Sequence, residues 1–291
     1  MSDTPSPRLS VLKTYKLFIG GAFPRSESGR VYDVTSPDGR WLANAPLASR
    51  KDARDAVVAA RKAFAKWSGA TAYNRGQVLY RIAEMLQGRH DQFRLQLTDA
   101  QGLSKAQARA AVDAAIDRWV WYAGWTDKIA QVAGATNPVA GPYLNLSSPE
   151  PTGVVAVVAP VGSPLLGLVS ALAPVIATGN TAVVVADPAA PLPALTLAEV
   201  LATSDLPAGT VNVLTGRPAE LGPPLAAHQD VNALDLTGAS PDLAADLEAA
   251  AAETLKRVHR PRAAEDFTAD PGTGRLTAFL ETKTVWHPIG V

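Results

Sequence analysis

The sequence contains no cysteine among its 291 residues. That excludes disulfides, thiolate zinc sites and any cysteine nucleophile within this polypeptide. It has no net charge either: 27 Lys and Arg balance 27 Asp and Glu, with a pI near 6.9. Nucleic acid and anionic membrane both need a dense basic field, so neither is expected as a partner. Aromatic residues make up only 6%, while Ala and Val abound, as suits a packed α/β core. Long apolar runs are missing too. The most apolar stretch, 153–186, is broken by Pro160, Gly162, Pro164, Pro174, Gly179 and Asn180, so no membrane span is expected. Residues 1–10 are polar without an apolar signal core, which makes the cytoplasm the expected location. His90, His228, His259 and His287 stand at no metal-ligand spacing, so no metal is expected. The absence of a G-x-S-x-G elbow argues against a serine hydrolase.

The first half reads as helices. Residues 16–23 suggest a strand entering a Gly-Gly turn, with 30–36 as its return. Ser49 followed by Asp52 resembles a capping pair, and Val57, Ala60, Phe64 and Trp67 recur at helical spacing. Further helices fit 73–86, 90–97 and a long 105–129, whose Trp119, Trp121, Tyr122 and Trp125 are expected to serve packing. Residues 132–148 carry Gly134, Pro138, Gly141 and Pro142 and then alternate, which reads as an extended flap.

From Thr152 a regular alternation sets in. Buried-strand runs at 153–159, 182–185, 210–214 and 231–236 are each followed by a helical stretch, at 164–177, 192–203, 219–228 and 242–258. Repeated strand–helix units imply a doubly wound parallel sheet with helices on both faces. Ligands on such sheets bind at the carboxyl ends of the strands. The turns there are 160–163, 186–188, 215–217 and 237–240, none of them a complete G-x-G-x-x-G. The basic run Lys256, Arg257, His259, Arg260 and Arg262 suits a helix C-terminus.

Several segments taken together resemble the aldehyde dehydrogenase superfamily. They are Tyr15-Lys-Leu-Phe-Ile-Gly-Gly-Ala22, the stretch from Asp55 to Trp67, and Pro151-Thr-Gly-Val-Val-Ala-Val-Val-Ala-Pro160. Ala177-Thr-Gly-Asn-Thr181, Pro207-Ala-Gly-Thr-Val-Asn-Val-Leu-Thr-Gly216 and Leu236-Thr-Gly-Ala239 follow in the same order. Glu281-Thr-Lys-Thr-Val-Trp286 is similar to the strand that completes the family's oligomerisation flap. The resemblance implies a Rossmann-like cofactor-type domain over 14–130 and 149–260 and a β-flap over 131–148 and 275–291. A tail at 1–13 precedes them, and a linker at 261–274 stands in place of the family's catalytic domain.

The departures carry as much as the matches. The family's catalytic cysteine and the general-base glutamate that follows the cofactor domain have no counterpart, leaving no catalytic residue. Its oxyanion asparagine, in a Pro-Trp-Asn turn, falls on Pro160-Val161-Gly162. Its ribose-binding Lys-Pro-Ser-Glu becomes Val185-Ala-Asp-Pro188, with Asp187 as the remaining handle. Its Gly-Ser-Thr-x-x-Gly becomes Gly238-Ala239 with Leu243 at the second glycine. What remains of a degenerate NAD site is Pro160, Val161, Gly162, Asp187, Gly216, Gly238 and Ala239. Thiohemiacetal chemistry needs a thiolate, an oxyanion donor and a base, so this polypeptide by itself is expected to be inactive. It is most similar to the non-catalytic C-terminal module of the two-part family-16 aldehyde dehydrogenases. That implies a pseudoenzyme subunit docking onto a full-length aldehyde dehydrogenase chain, or onto itself, through Tyr143, Leu144, Leu146, Lys283, Val285 and Trp286. The alternative is an NAD(H)-binding module completed in trans by a partner's nucleophile.

Overall fold

The computed structural model describes residues 11–261, 263 and 265–290; most of the tail read over 1–13, and Arg262 of the basic run, lie outside them. Strands β1 (Val31–Thr35) and β2 (Trp41–Pro46) form an antiparallel hairpin about the turn 36–40. This corrects the expectation that 16–23 pairs with 30–36. Phe18 instead makes a single antiparallel bridge to Val213, and Ile19 bridges Ala22. The reason is burial. Leu17 and Phe18 are inside the main core, while Val34, Ala43 and Ala45 close a small cluster with Leu192.

Helix α1 (Arg50–Ser68) starts on the capping box expected at Ser49 and Asp52 and buries Ala53, Ala56, Val57, Ala60, Ala63 and Trp67. Ala63 takes the place read for Phe64, which lies under the Arg61 guanidinium at 5.7 Å. Helices α2 (Ala72–Gln87), α3 (His90–Gln101) and α4 (Lys105–Ala123) follow, and then a short α5 (Ile129–Ala133). The long helix expected over 105–129 therefore breaks at Gly124, and Val132 is helical rather than extended. Trp119 and Tyr122 are fully buried, with Trp121 and Trp125 packed against the same cluster, so this aromatic group serves packing.

After β3 (Ala135–Asn137) and β4 (Tyr143–Pro151) come β5 (Val154–Val158), α6 (Leu166–Ala177), β6 (Thr181–Val185), α7 (Leu192–Ala202), β7 (Val211–Leu214), α8 (Pro218–Ala226), β8 (Ala233–Asp235), α9 (Pro241–Ala252) and β9 (Arg257–His259). The five strands from β5 to β9 form one parallel sheet in the order β7-β6-β5-β8-β9. Their β-branched runs are buried on both faces, as parallel sheets require. Val155 and Val157 meet α2, α4, α6 and α7, while Val154, Ala156 and Val158 meet α1, α8 and α9. The expected fourth helix, 242–258, stops at Ala252. Leu255 turns left-handed at φ 54°, and Arg257–His259 becomes the fifth strand. The basic run is thus an edge strand, not helix-terminal charge; Arg257 pairs with Glu281 and Arg260 with Glu248.

The chain ends with α10 (Gly274–Thr277) and β10 (Leu280–Pro288). β10 pairs antiparallel with β4 along its whole length, and β3 pairs with the other edge of β4. This second, three-stranded sheet has the order β10-β4-β3. Only residues 260–279 separate β9 from β10.

Candidate functional site

In the parallel sheet, β6 and β7 lie to one side of β5, and β8 and β9 to the other. The carboxyl ends of β5 and β8 therefore flank the switch point, where a ligand of such a sheet would bind. At the end of β5, the turn Pro160-Val161-Gly162-Ser163 places Val161 outward, 67% exposed. Gly162 takes a left-handed φ of 76°. Its N–H donates to Asp187 Oδ2 at 3.0 Å, and the Ala189 N–H donates to Asp187 Oδ1 at 3.0 Å. Asp187 is 4% exposed. One oxygen ties the β5 turn to the β6 turn and the other closes the β6 turn on itself, and burial leaves little of the carboxylate open to a ribose. Burial and then the Asp187 carboxylate push the Tyr32 phenol well above its usual range, and its buried hydroxyl has no hydrogen-bond partner among the described residues.

The remaining positions are structural in the same way. A side chain at Gly238 would place its first carbon 1.8 Å from the Ala159 carbonyl oxygen. The absent side chain lets β8 approach the end of β5, where the Gly238 N–H donates to the Val158 carbonyl at 3.0 Å. Ala239 packs against the cluster of α1, α8 and α9, and its N–H donates to the Leu236 carbonyl at 3.0 Å. Beside Gly216, the Thr215 carbonyl accepts the Ala48 N–H at 2.9 Å. Helix N-termini bind anions through unpaired amides, but here side chains already take some of them. Ser163 Oγ accepts from the Gly167 N–H at 2.8 Å, and Ser240 Oγ from the Leu243 N–H at 3.4 Å. The residues present do not fit a dinucleotide. Two cavities of about 870 and 850 Å³ lie elsewhere, one beside α2 and α4 and the other between α1 and α8.

Sequence reasoning missed the residues that organise this crevice. Asp235 ends β8 fully buried, and Arg275 Nη1 donates to its Oδ2 at 2.8 Å. Arg275 Nη2 also donates to Thr237 Oγ1 at 2.9 Å and to Glu265. Burial works against the Arg275 charge, but Asp235 and Glu265 outweigh it and hold its pKa above the ordinary guanidinium value. Arg118, buried in α4, donates to Ser170 Oγ at 3.0 Å and to the Phe267 and Ala269 carbonyls at 2.7 and 3.0 Å. The one available signal was an arginine set among Ile116, Trp119 and Tyr122 on the buried face of a helix.

The flap residues come together, but on two faces. Leu146 lies opposite Val285, and Lys283 opposite Ser148, so Leu144, Leu146, Lys283 and Val285 share one face. Tyr143 and Trp286 share the other, with ring centroids 5.8 Å apart in an edge-to-face pair. Lys283 Nζ pairs with Glu150 at 3.1 Å. Leu144, Leu146, Val285 and Trp286 are all exposed, Trp286 to 58%.

The model of the aldehyde dehydrogenase family matches residues 23–261. This chain belongs to the aldehyde dehydrogenase family. It is 34% identical over 241 residues to the cytosolic 10-formyltetrahydrofolate dehydrogenase of Mus musculus, covering 80% of this chain and 26% of that protein. It is 31% identical over 266 residues to "Aldehyde dehydrogenase, cytosolic 1" of Elephantulus edwardii, covering 89% and 52%. Among solved structures, the NAD+ complex of an aldehyde dehydrogenase from Bacillus cereus is 28% identical with a TM-score of 0.79, covering 84% of this chain and 50% of that one. The chain thus spans about half, or about a quarter, of the relatives it matches. Among the described residues no helix is long and apolar enough to cross a membrane, and no cluster of His, Asp and Glu is suited to a metal.

Proposed function

We propose that this chain is a non-catalytic aldehyde dehydrogenase-like subunit. It associates through the β-flap with a competent NAD-dependent aldehyde dehydrogenase chain, or with a second copy of itself, in a structural or regulatory role. The observation that carries this reading is the flap. It presents apolar side chains on both faces and, among the described residues, an unpaired edge along β10, whose residues after Leu280 are all exposed. An open nine-residue edge beside exposed Leu, Val and Trp is a surface that soluble proteins cover. The chemistry points the same way. The sequence has no thiol, Gly162 has no side chain to offer an oxyanion, and Asp187 is committed to backbone amides. The reading in which the chain contributes bound NAD(H) draws on the relative captured with NAD+, but the committed Asp187 and the packed Gly238 count against it.

The test is co-purification from the source extract. A full-length aldehyde dehydrogenase, or a second copy seen by sedimentation, is expected with the wild type. Leu146→Glu combined with Val285→Glu should weaken association by at least about 30-fold, since a central interface anchor is worth about 2 kcal/mol or more. A monomer that captures no aldehyde dehydrogenase, or capture unaffected by the double substitution, would refute the proposal.

A further inference from the structure

We infer that residues 265–279 form a strap that closes the crevice at the carboxyl ends of β5 and β8 and ties it to the flap, so that crevice and flap strand open together. Three contacts hold the strap over the crevice. Arg275 reaches from α10 to Asp235 and Thr237 at the end of β8. Arg118 holds the Phe267 and Ala269 carbonyls from below. Phe267, half-buried, packs against the main core near the first turn of α6 at Gly167. Arg275 also grips Glu265, so the two ends of the strap share one guanidinium.

The same strap leads directly into β10. Leu276, Phe279 and Leu280 are buried in the main core. The Phe279 carbonyl accepts from the Thr152 N–H at 3.2 Å and from Asn180 Nδ2 at 2.9 Å. Lifting Arg275 off Asp235 would drag these anchors and strip the start of β10 from β4, where Leu280 pairs with Pro151. Asp235 would keep the Thr237 N–H at 3.0 Å and the Thr237 hydroxyl on its Oδ1 but would be a buried carboxylate without a counter-ion, an outcome that costs more than a surface contact can return. The strap is therefore either fully seated with β10 in place or released together with it. This inference does not require the flap to have a partner.

Hydrogen exchange on the full chain tests it, because local opening sets the exchange rate. In the wild type, the hydrogen-bonded amides within 276–288 should be protected together, while those on the outer edge of β10 exchange freely. Arg275→Ala removes the partner of a buried carboxylate, so exchange over 276–288 should accelerate by on the order of 10²-fold or more, while β6 and β7 keep wild-type rates. If Arg275→Ala accelerates every peptide, Glu265→Gln decides. It keeps the Asp235 pair and should accelerate 276–279 and 280–288 by a similar few-fold factor, with β6 and β7 unchanged. Acceleration over 276–279 that leaves 280–288 at its wild-type rate, in either variant, would overturn the coupling. So would wild-type exchange at unprotected rates over 276–279, or a Glu265→Gln variant whose exchange over 276–288 stays at the wild-type rate.

Discussion

Gly238 separates two explanations of the same residue. If it is a glycine kept for an approaching phosphate, its missing side chain faces open space, and Ala at this position leaves stability nearly unchanged. The structure says otherwise. The added carbon would lie 1.8 Å from the Ala159 carbonyl oxygen, 2.5 Å from its carbonyl carbon and 3.0 Å from the Val158 carbonyl oxygen. All three atoms belong to the backbone at the end of β5, and β5 is held between β6 and β8 along the sheet. Relief requires moving the β8–α9 turn away from β5, which also breaks the bond from Gly238 N–H to Val158. Overpacking costs about 1–3 kcal/mol, and a buried polar group left unpaired about 1–3 kcal/mol. Gly238→Ala should therefore cost about 2–6 kcal/mol, a large share of a typical total of about 5–15 kcal/mol. Gly162→Ala is the control. Nothing lies within 4 Å of its added carbon, so only the left-handed φ is penalised, at about 1–2 kcal/mol. Urea unfolding followed by tryptophan fluorescence reads both as midpoint shifts at constant slope. Gly238→Ala within about 1 kcal/mol of wild type would refute the packing argument.

Two further outcomes follow from buried groups and caps. Burial pushes the Tyr122 hydroxyl up to about 12 against the opposing pull of the nearby Arg118, and among the described residues no group meets that hydroxyl in hydrogen-bond geometry. Between the free phenol value and about 12, the unfolded chain ionises first and the folded state keeps its proton. The wild type should thus lose stability as pH rises through that window, and Tyr122→Phe should lose less. At neutral pH Tyr122→Phe should be neutral or stabilising, since it removes an unpaired polar atom; a loss above about 1.5 kcal/mol would mean the hydroxyl is bonded. Ser49→Ala breaks the capping box on α1 and should cost about 1 kcal/mol in the same unfolding assay. An unchanged midpoint would show that Asp52 alone satisfies that terminus.

Much of this architecture was legible because it rests on local period. The buried strands are β-branched runs, and each following helix has its own apolar face, so four of the five parallel strands were visible. β9 was not. Three residues, Arg257–His259, form a strand only because Ala233–Asp235 offers a ladder beside them, and their charges read more naturally as a helix terminus. The hairpin failed for a related reason: residues 16–23 have strand composition, but burial of Leu17 and Phe18 outweighed pairing with 30–36. Gly162 and Gly238 stood out in the sequence as turn glycines. Their surroundings did not, because what each backbone meets is decided by another strand.

From the amino-acid order alone came the missing thiol, the alternation of strand and helix and the collinear family motifs, all of which depend on residue identity or on neighbours along the chain. Folding decided the rest: that Asp187 is committed to the amides of Gly162 and Ala189, that β8 presses on β5 at Gly238, and that Arg118 and Arg275 hold a strap across the crevice. Apart from the local bond between Asp187 and Ala189, those contacts join residues distant in sequence through a few side-chain hydrogen bonds and close backbone approach. Neither leaves a periodic trace, so only the packed chain could reveal them.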